Sequence, residues 1–308
     1  MEGVLNLLKP PGMTSHDVVN VVRKALKIKK VGHTGTLDPY AAGVIVLCIG
    51  RATRIARFLT ATSKEYRAEI TFGISTDTQD ALGHILHIKD ASHVDENMLH
   101  AMLPKFTGTI QQVPPMVSAI KRQGKKLYEL ARKGYEVKRE PREVTIYRID
   151  MVKFWGKNSP HPRLMFDVSC SKGTYIRTLC SDIGDALATG AHMSFLLRTR
   201  VGRFTLTDAL TLEKLTELAK QERLADHIIP IDNALDYLPA VNVKPTAVKS
   251  VLSGRTVYSS GVKGDTKPFG PIVRLRSNGY LLALAEVIQL EQSTAFKPVW
   301  VRSSKQEE

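Results

Sequence analysis

The stretch GHTGTLDPYAAG, residues 32–43, separates an apolar periodic segment from the nearly continuous apolar run VIVLCIG. It combines three glycines with one histidine, His33, and one carboxylate, Asp38. Pro39 disfavours the α region for the residue before it, which predicts that Asp38 projects from a loop. Asp-Pro is also ordinary turn chemistry, and aspartate side chains commonly bond their own backbone. Alone, this stretch leaves open whether Asp38 is a functional carboxylate or part of a turn.

The segments on both sides of this stretch predict a mixture of strands and helices. A short strand at 4–8 precedes a helix at 16–26, for which Thr14 or Ser15 can provide the N-cap. Further along, the apolar patterns predict strands at 44–49, 64–74, 143–155, 163–171 and 192–204, and helices at 51–61, 94–106, 126–133, 174–188 and 212–224. Because strands and helices do not alternate as regular βαβ units, the sequence predicts an α+β fold.

A change of composition at 236–245, rich in proline and short polar residues, indicates a domain boundary. Beyond it, we expect a short helix at 246–254 and a hairpin at 272–287 that turns at Asn278-Gly279, a favoured two-residue turn pair. The sequence therefore divides into a large unit, 1–235, and a small β-rich unit, 236–308.

The charge balance points to a polyanionic partner. Lys and Arg number 44 against 30 Asp and Glu, a formal net charge of +14, and neutralising phosphates releases condensed counterions. Residues 118–142 hold nine basic side chains against three glutamates. A charge run of this kind is most often a solvated surface, so composition alone does not decide its role. Neither a basic amphipathic helix nor a lipidation signal supports a membrane surface as the partner.

Several classes of protein are excluded by what the sequence lacks. No apolar run approaches the roughly 20 residues that span a bilayer, and the N-terminus does not resemble a signal peptide. Three cysteines without metal-type spacing predict buried thiols in a reducing cytoplasm. Phosphate-loop, nucleophile-elbow and deaminase motifs are absent, and the pair His84 and His87 lacks further zinc ligands. We therefore expect neither a metal nor a cofactor.

Two aromatic-plus-basic motifs suit chemistry on a nucleotide. Tyr66 lies in KEY, and Tyr175 and Arg177 lie in GTYIRT. Tyrosine offers a flat face for an unpaired base, and arginine offers a charge-assisted partner for carboxylate or phosphate. Ordinary packing in a strand and a helix explains the two tyrosines equally well.

Five colinear blocks together resemble the TruB family of tRNA pseudouridine synthases. They are LLKPPGMTSHDVV, KKVGHTGTLDPYAAGVIVLCIGRATR, KEYRAEITFG, PPMVSAIKRQGKKLYELARKG and SKGTYIRTLCSDIG. The similarity runs from about residue 3 to residue 205, and the tail resembles a small PUA-like RNA-binding domain. The resemblance implies a pseudouridine synthase fold, with a central mixed or antiparallel sheet, flanking helices and a basic RNA-binding insertion at about 112–142.

The resemblance also implies roles for the motif residues. Asp38 would be the catalytic carboxylate, held ionised and aimed by Arg177. Tyr66 would stack on the target base and take part in proton transfer. The expected substrate contacts are His33, which would fill the space left by the flipped base, with Tyr175, Leu196, Lys9, Lys121, Lys125, Lys126 and Arg132. Lys9, in KPPG, is expected to support the pocket loop rather than react.

The implied activity is isomerisation of uridine 55 in the T-loop of tRNA, after base flipping, by a monomer without an obligatory protein partner. Two alternatives stay open at this point. One is an RNA-binding protein or tRNA folding chaperone that keeps a pocket without using it. The other is a guide-RNA-dependent relative of the archaeal and eukaryotic branch.

Overall fold

The computed structural model describes residues 1–118, 120–122, 124–131, 134–264, 270–291 and 293–302. At residues 121, 122, 125, 126 and 128 it describes only the backbone. The helices are α1 (Ser15–Leu26), α2 (Ala56–Thr60), α3 (Glu96–Met102), α4 (Leu127–Ala131), α5 (Ile176–Ala186), α6 (Leu212–Lys220), α7 (Ile231–Ala234) and α8 (Pro245–Leu252).

The strands form two large sheets and two small hairpins. They are β1 (Gly3–Lys9), β2 (Val31–His33), β3 (Ala42–Ile49), β4 (Lys64–Phe72), β5 (Ile74–Thr76), β6 (Ile85–Ile88), β7 (Gly108–Gln112), β8 (Lys121–Arg122), β9 (Lys125–Lys126), β10 (Arg142–Trp155), β11 (Arg163–Cys170), β12 (Ala191–Val201), β13 (Phe204–Thr205), β14 (Ala240–Val243), β15 (Val257–Tyr258), β16 (Val262–Lys263), β17 (Ile272–Ser277), β18 (Tyr280–Gln289) and β19 (Thr294–Val301).

The central sheet has the order β1-β3-β12-β4-β11-β10-β7, with β2 added to β3 and β13 added to β12. Its strand pairs are antiparallel except for β12 and β3, which run parallel. Helices pack against this mixed sheet, so the α+β prediction is confirmed.

Helix α1 begins where the sequence predicts and for the predicted reason. Thr14 accepts a hydrogen bond from the Asp17 N–H, and the Asp17 carboxylate accepts one from the Thr14 N–H. This reciprocal capping box satisfies two donors that a helix start otherwise leaves free. Val18, Val19 and Val22 form its buried face, which packs in one core with residues of β1, β3 and α6. The helix therefore fixes the segment that precedes the 32–43 stretch.

The parallel contact between β3 and β12 depends on Gly43. Gly43 lies opposite Arg198, with φ at +119°, and a Cβ at this position would lie 2.2 Å from the Arg198 carbonyl oxygen. Only glycine gives both the backbone conformation and the close approach. The last residue of the quoted stretch therefore lets β12 lie against the loop that carries Asp38.

Several predicted elements differ from the structure in their extent, and three of them do so for a visible local reason. Residues 50–55 form a 3₁₀ helix before the short α2, because no side chain caps either start and Thr53 bonds back to the Gly50 carbonyl. Helix α3 passes into a 3₁₀ turn at Leu103, where Pro104 provides no N–H. The strand predicted at 192–204 ends at Val201, and Gly202 (φ +53°) turns the chain back into β13.

The C-terminal sheet has the order β15-β19-β18-β17-β14-β16, and it includes the predicted turn at Asn278 and Gly279. It packs on the central sheet through a shared core, in which Leu284 and Trp300 cluster with Val4 and Val44. Our division of the chain at residues 235 and 236 stays a prediction, because this core joins the two units. No helix in the described ranges is long and apolar enough to span a membrane.

We expect Gly43→Ala to destabilise the protein by about 3 kcal/mol or more, because strain at positive φ and displacement of β12 add together. Gly254→Ala is a matched control, since Gly254 has φ +74° and open space where its Cβ would lie. The control should cost only about 1–2 kcal/mol. Urea unfolding measures both, and equal losses would contradict this account of the strand crossing.

Candidate active site

A cavity of about 1210 Å³ opens at the loop between β2 and β3. Its wall includes residues from β4, β12, the β5–β6 hairpin, the start of α5 and the 113–141 segment. Six of the residues singled out in the sequence line it together: His33, Asp38, Tyr66, Tyr175, Arg177 and Leu196. They come from four separate segments, so only the fold brings them into one site. Their chemical roles stay predictions.

The loop before Asp38 is fixed by a buried serine of helix α1. The Ser15 hydroxyl accepts a hydrogen bond from the Leu37 N–H at 2.8 Å and donates one to the Leu37 carbonyl at 3.0 Å. The Asp38 carbonyl then accepts the Ala41 N–H at 3.1 Å, which closes a turn. Both interpretations of Asp38 therefore hold in part, because its backbone makes a turn while its carboxylate faces the cavity.

Lys9 fixes the backbone of this loop through hydrogen bonds. Its side chain is fully buried, and its ammonium donates to the carbonyls of Pro10, Met13 and Pro39 at 2.7–2.9 Å. The expectation that Lys9 supports the pocket loop agrees with this position. Its place among the substrate contacts stays a prediction; in the structure three carbonyls accept from its ammonium, and it is not one of the residues that line the cavity.

Arg198, which sequence reasoning missed, binds the same loop from the opposite strand. This residue of β12 is 2% exposed, and its guanidinium donates to the carbonyls of Gly35, Thr36 and Val44. Arginine offers five donors in a fixed planar geometry, so one side chain can bond all three carbonyls. The arginine is more than 150 residues away from each of these partners, so no local pattern marked it.

Arg177 is the guanidinium that faces Asp38. It is 4% exposed, and its Nη2 lies 3.4 Å from Asp38 Oδ1 and 2.7 Å from the Val117 carbonyl oxygen. Its Nη1 lies 3.6 Å from Asp80 Oδ2. A buried guanidinium needs compensating partners, and here two carboxylates and one carbonyl from three segments supply them.

Asp80 is the second residue that sequence reasoning missed. It belongs to the β5–β6 hairpin, where Thr78 and the Leu82 N–H both donate to its Oδ1. The sequence STDTQD concentrates short polar side chains in one turn. That signal indicated a turn but not which arginine the turn would meet.

Two family models match the chain side by side. The model of the N-terminal domain of TruB family pseudouridylate synthases matches residues 23–176, and that of the tRNA pseudouridylate synthase B C-terminal domain matches residues 177–236. The chain belongs to the TruB family of pseudouridylate synthases. Members of this family are isomerases, and this chain is one of them. The second matched segment contains β12, which pairs with β3 and β4, so the two segments form one sheet.

Curated relatives cover nearly the whole chain. The tRNA pseudouridine synthase B of Pelotomaculum thermopropionicum is 50% identical over 306 residues, which cover 98% of this chain and 97% of the relative. That of Symbiobacterium thermophilum is 54% identical over 254 residues, and the match covers 82% of each chain.

Among solved structures, a Cbf5–Nop10–Gar1 complex matches with a TM-score of 0.74 at 30% identity, covering 97% of this chain and 84% of that one. An H/ACA ribonucleoprotein bound to a substrate RNA containing 2′-deoxyuridine matches with a TM-score of 0.73 at 29% identity, with the same coverage.

The charges around Asp38 act on its pKa in opposite directions. Burial raises the pKa of this carboxyl, the Arg177 guanidinium opposes that rise, and the Asp80 carboxylate adds to it. Lys9 and Arg198 lower the pKa of Asp38 further. The pocket of this TruB family member therefore surrounds one partly buried carboxylate with three cations and one competing anion.

Tyr66 and His33 are held in their neutral forms. Burial raises the pKa of the half-buried Tyr66, whose position on β4 lies opposite Arg198 of β12. Burial lowers the pKa of His33, and the positive charges of Arg198 and His16 lower it further. A neutral phenol and a neutral imidazole can both lie against an uncharged base.

The predicted basic contacts of the insertion are only partly covered by the structure. The backbones of Lys121, Lys125 and Lys126 form the β8–β9 hairpin, whereas their side chains and the whole of Arg132 lie outside the described residues. The cavity wall adds two lysines that the sequence did not single out as contacts, Lys64 and Lys172.

In the described part of the chain, no cluster of His, Cys, Asp or Glu side chains is arranged to hold a metal ion.

Asp80→Asn tests the electrostatic account. Because the Asp80 charge raises the pKa of Asp38 and competes for Arg177, its removal should lower the pKa of Asp38. The acidic limb of the pH–rate profile for pseudouridine formation should then move to lower pH. Asp77→Asn is the matched control, since Asp77 lies on the same hairpin and is not among the charges that act on Asp38. A shift to higher pH, or equal shifts in both variants, would contradict the assignment.

Proposed function

We propose that the chain isomerises uridine 55 in the T-loop of tRNA to pseudouridine, with Asp38 as the catalytic carboxylate. The observation that carries this proposal is the contact between Asp38 and the buried Arg177 in the wall of the cavity. The curated relatives named tRNA pseudouridine synthase B supply the substrate class.

The reaction needs one carboxylate and no other reagent. The N1–C1′ glycosidic bond breaks, the uracil rotates, and C5 bonds to C1′ before the C5 proton moves to solvent and N1 gains a proton. No atoms are gained or lost overall. Asp38 serves by attack on C1′, by attack on the base or by assisting removal of a sugar proton, and each route needs the ionised form. The Arg177 guanidinium favours that form by opposing the effect of burial on the Asp38 pKa.

The uridine reaches Asp38 only after it leaves the RNA stack. Flipping a nucleotide costs a few kcal/mol, which stacking and pocket contacts offset. In the proposal, Tyr66 stacks on the flipped uracil, Leu196 and Tyr175 bound the pocket, and His33 occupies the space that the base leaves. All four line the same cavity, and the neutral state of His33 suits a side chain that enters a base stack.

The RNA is held beyond the pocket by positive charge. The insertion at about 112–142 lies at the mouth of the cavity, which its Met116, Val117 and Tyr135 help to line. The whole chain carries a formal net charge of +14. We assign the insertion to the T-arm of tRNA, and its lysines and Arg132 to phosphates.

The proposed enzyme is a monomer that works in the cytoplasm without an obligatory partner. The buried, free thiols of all three cysteines fit such a reducing compartment.

The two alternatives make different demands on the protein. A guide-RNA-dependent enzyme would need partner chains such as those named with Cbf5 in the similar structures, whereas the bacterial relatives are named as tRNA enzymes. A chaperone would not need the carboxylate. Neither alternative is favoured by the relatives.

The decisive experiment incubates the pure protein with an unmodified tRNA transcript and maps pseudouridine by position. We expect product at uridine 55 without any added protein or guide RNA. Asp38→Asn should reduce turnover by about a thousandfold or more, since the asparagine amide cannot act as nucleophile or base, while tRNA affinity stays within a few fold. Asp90→Asn, a change at an exposed aspartate, serves as control. Pseudouridine formation by Asp38→Asn, or a wild type inactive on bare tRNA, would refute the proposal.

Affinity for tRNA should depend steeply on salt. Counterion release predicts a loss of at least about two orders of magnitude between about 50 and 200 mM salt if several phosphates are neutralised. The double variant Lys125→Gln, Lys126→Gln should reduce the slope of log affinity against log salt by about 1–2, because two phosphate contacts disappear. Filter binding across the salt series measures this slope. An unchanged slope would place the phosphate contacts elsewhere.

A further inference from the structure

Gln112 bonds both backbone polar groups of Tyr175, the N–H and the carbonyl. Its Oε1 accepts a hydrogen bond from the Tyr175 N–H at 2.8 Å, and its Nε2 donates one to the Tyr175 carbonyl at 3.0 Å. The side chain is 1% exposed and comes from a strand 63 residues earlier in the chain. Both ends of a buried amide are thereby used on a single residue of the active-site loop.

Gln112 also lies at the root of the basic insertion. It is the last residue of β7 and pairs with Arg142, the first residue of β10, so the insertion leaves the central sheet between these two positions. Five residues further on, the Val117 carbonyl oxygen bonds Arg177 Nη2 at 2.7 Å. The base of the insertion therefore contacts the Arg177 segment at two points, through Gln112 and through Val117.

Gln112 bonds the residue at which helix α5 starts. Tyr175 is its N-cap residue, and no side chain of its own segment caps the helix. The Tyr175 carbonyl accepts the first intrahelical bond, from the Leu179 N–H, as well as the Gln112 bond. Arg177 follows Tyr175 by two residues, so the position of the Tyr175 backbone determines the point from which the Arg177 side chain extends toward Asp38.

A second attachment holds the same loop one turn earlier. The Ser171 hydroxyl accepts the Thr145 N–H at 2.9 Å, and the Ser171 N–H donates to the Thr145 carbonyl at 2.8 Å. Loss of the Gln112 bonds would therefore leave the loop attached to β10 and free only its Tyr175 end. The expected consequence is a displaced Arg177 in a folded protein.

We propose that Gln112 is a positioning residue for the isomerisation, which fixes Arg177 against Asp38 and couples that contact to the root of the RNA-binding insertion. This inference rests on the proposed function, because it concerns the same site. A misplacement of about 1 Å in an active site can cost about 100-fold in rate. Gln112 does not touch the cavity, so its effect must pass through the Tyr175 peptide.

The test compares three variants of the full chain on a tRNA transcript. Gln112→Met keeps the length of the side chain and removes both hydrogen bonds. Gln112→Glu keeps an acceptor for the Tyr175 N–H and loses the donor to its carbonyl. Gln111→Met is the matched control, because Gln111 is the exposed neighbour on the same strand. Each variant is measured for kcat, KM, tRNA affinity, pH profile and thermal midpoint.

We expect Gln112→Met to lower kcat about 10- to 100-fold and to keep KM for tRNA within about threefold of the wild type. The kcat of Gln112→Glu should lie between those of Gln112→Met and the wild type. In Gln112→Met the acidic limb of the pH–rate profile should also move to higher pH. Among the groups that act on Asp38, which are Arg177, Asp80, Lys9 and Arg198, the cation that opposes burial most strongly would no longer be held in place. Gln111→Met should match the wild type. A merely structural glutamine would lower the folded fraction and leave kcat per folded molecule and the pH profile unchanged.

Native kcat in Gln112→Met, a change confined to KM, or an equal loss in Gln111→Met would overturn the inference. If Gln112→Met does not fold, Gln112→Glu provides the same comparison. A wild type that makes no pseudouridine at uridine 55 would instead overturn the proposed function, so the two failures are distinguishable.

Discussion

The site depends on the ion contact between Asp38 and Arg177. A guanidinium that is 4% exposed has lost most of its hydration, and such a charge is costly unless anions and carbonyls replace the water. Asp38, Asp80 and the Val117 carbonyl do so from three separate segments. Because each segment reaches Arg177 only in the complete fold, assembly of the charge cluster and assembly of the cavity are one event.

The cavity loop is held by cations that do not react. Lys9 and Arg198 are both buried, and each gives its donors to three backbone carbonyls of the loop or of its neighbours. Charge-assisted hydrogen bonds are stronger than neutral ones, so they fix backbone that has no regular ladder of its own. The same cations add positive potential beside Asp38. Burial lowers the pKa of Lys9 to about 8, because loss of hydration disfavours the charged ammonium.

The sequence predicted the residues whose signal is local and missed those whose partners are distant. His33, Asp38, Tyr66, Tyr175 and Arg177 lie in the short motifs that carry the family resemblance, and all five line one cavity. Asp80, Arg198 and Gln112 act through contacts with residues 63 to 163 positions away, which leave no periodicity to detect. The helix extents differed for a related reason, since the missing side-chain cap before α2 and the proline after α3 each change only one or two hydrogen bonds.

Several polar atoms in the cavity wall have no hydrogen-bond partner among the described residues. They are the His33 Nδ1, the Ser118 hydroxyl and the Arg177 Nε. A buried polar atom left without a partner costs about 1–3 kcal/mol, so a folded protein keeps such atoms only where something else offsets that cost. For Arg177 part of that offset is visible, because its two other nitrogens face the carboxylates of Asp38 and Asp80 and the Val117 carbonyl. Interactions made only when the reacting nucleotide is in place favour turnover over simple retention, and these three atoms lie in the wall of the cavity that also contains Asp38.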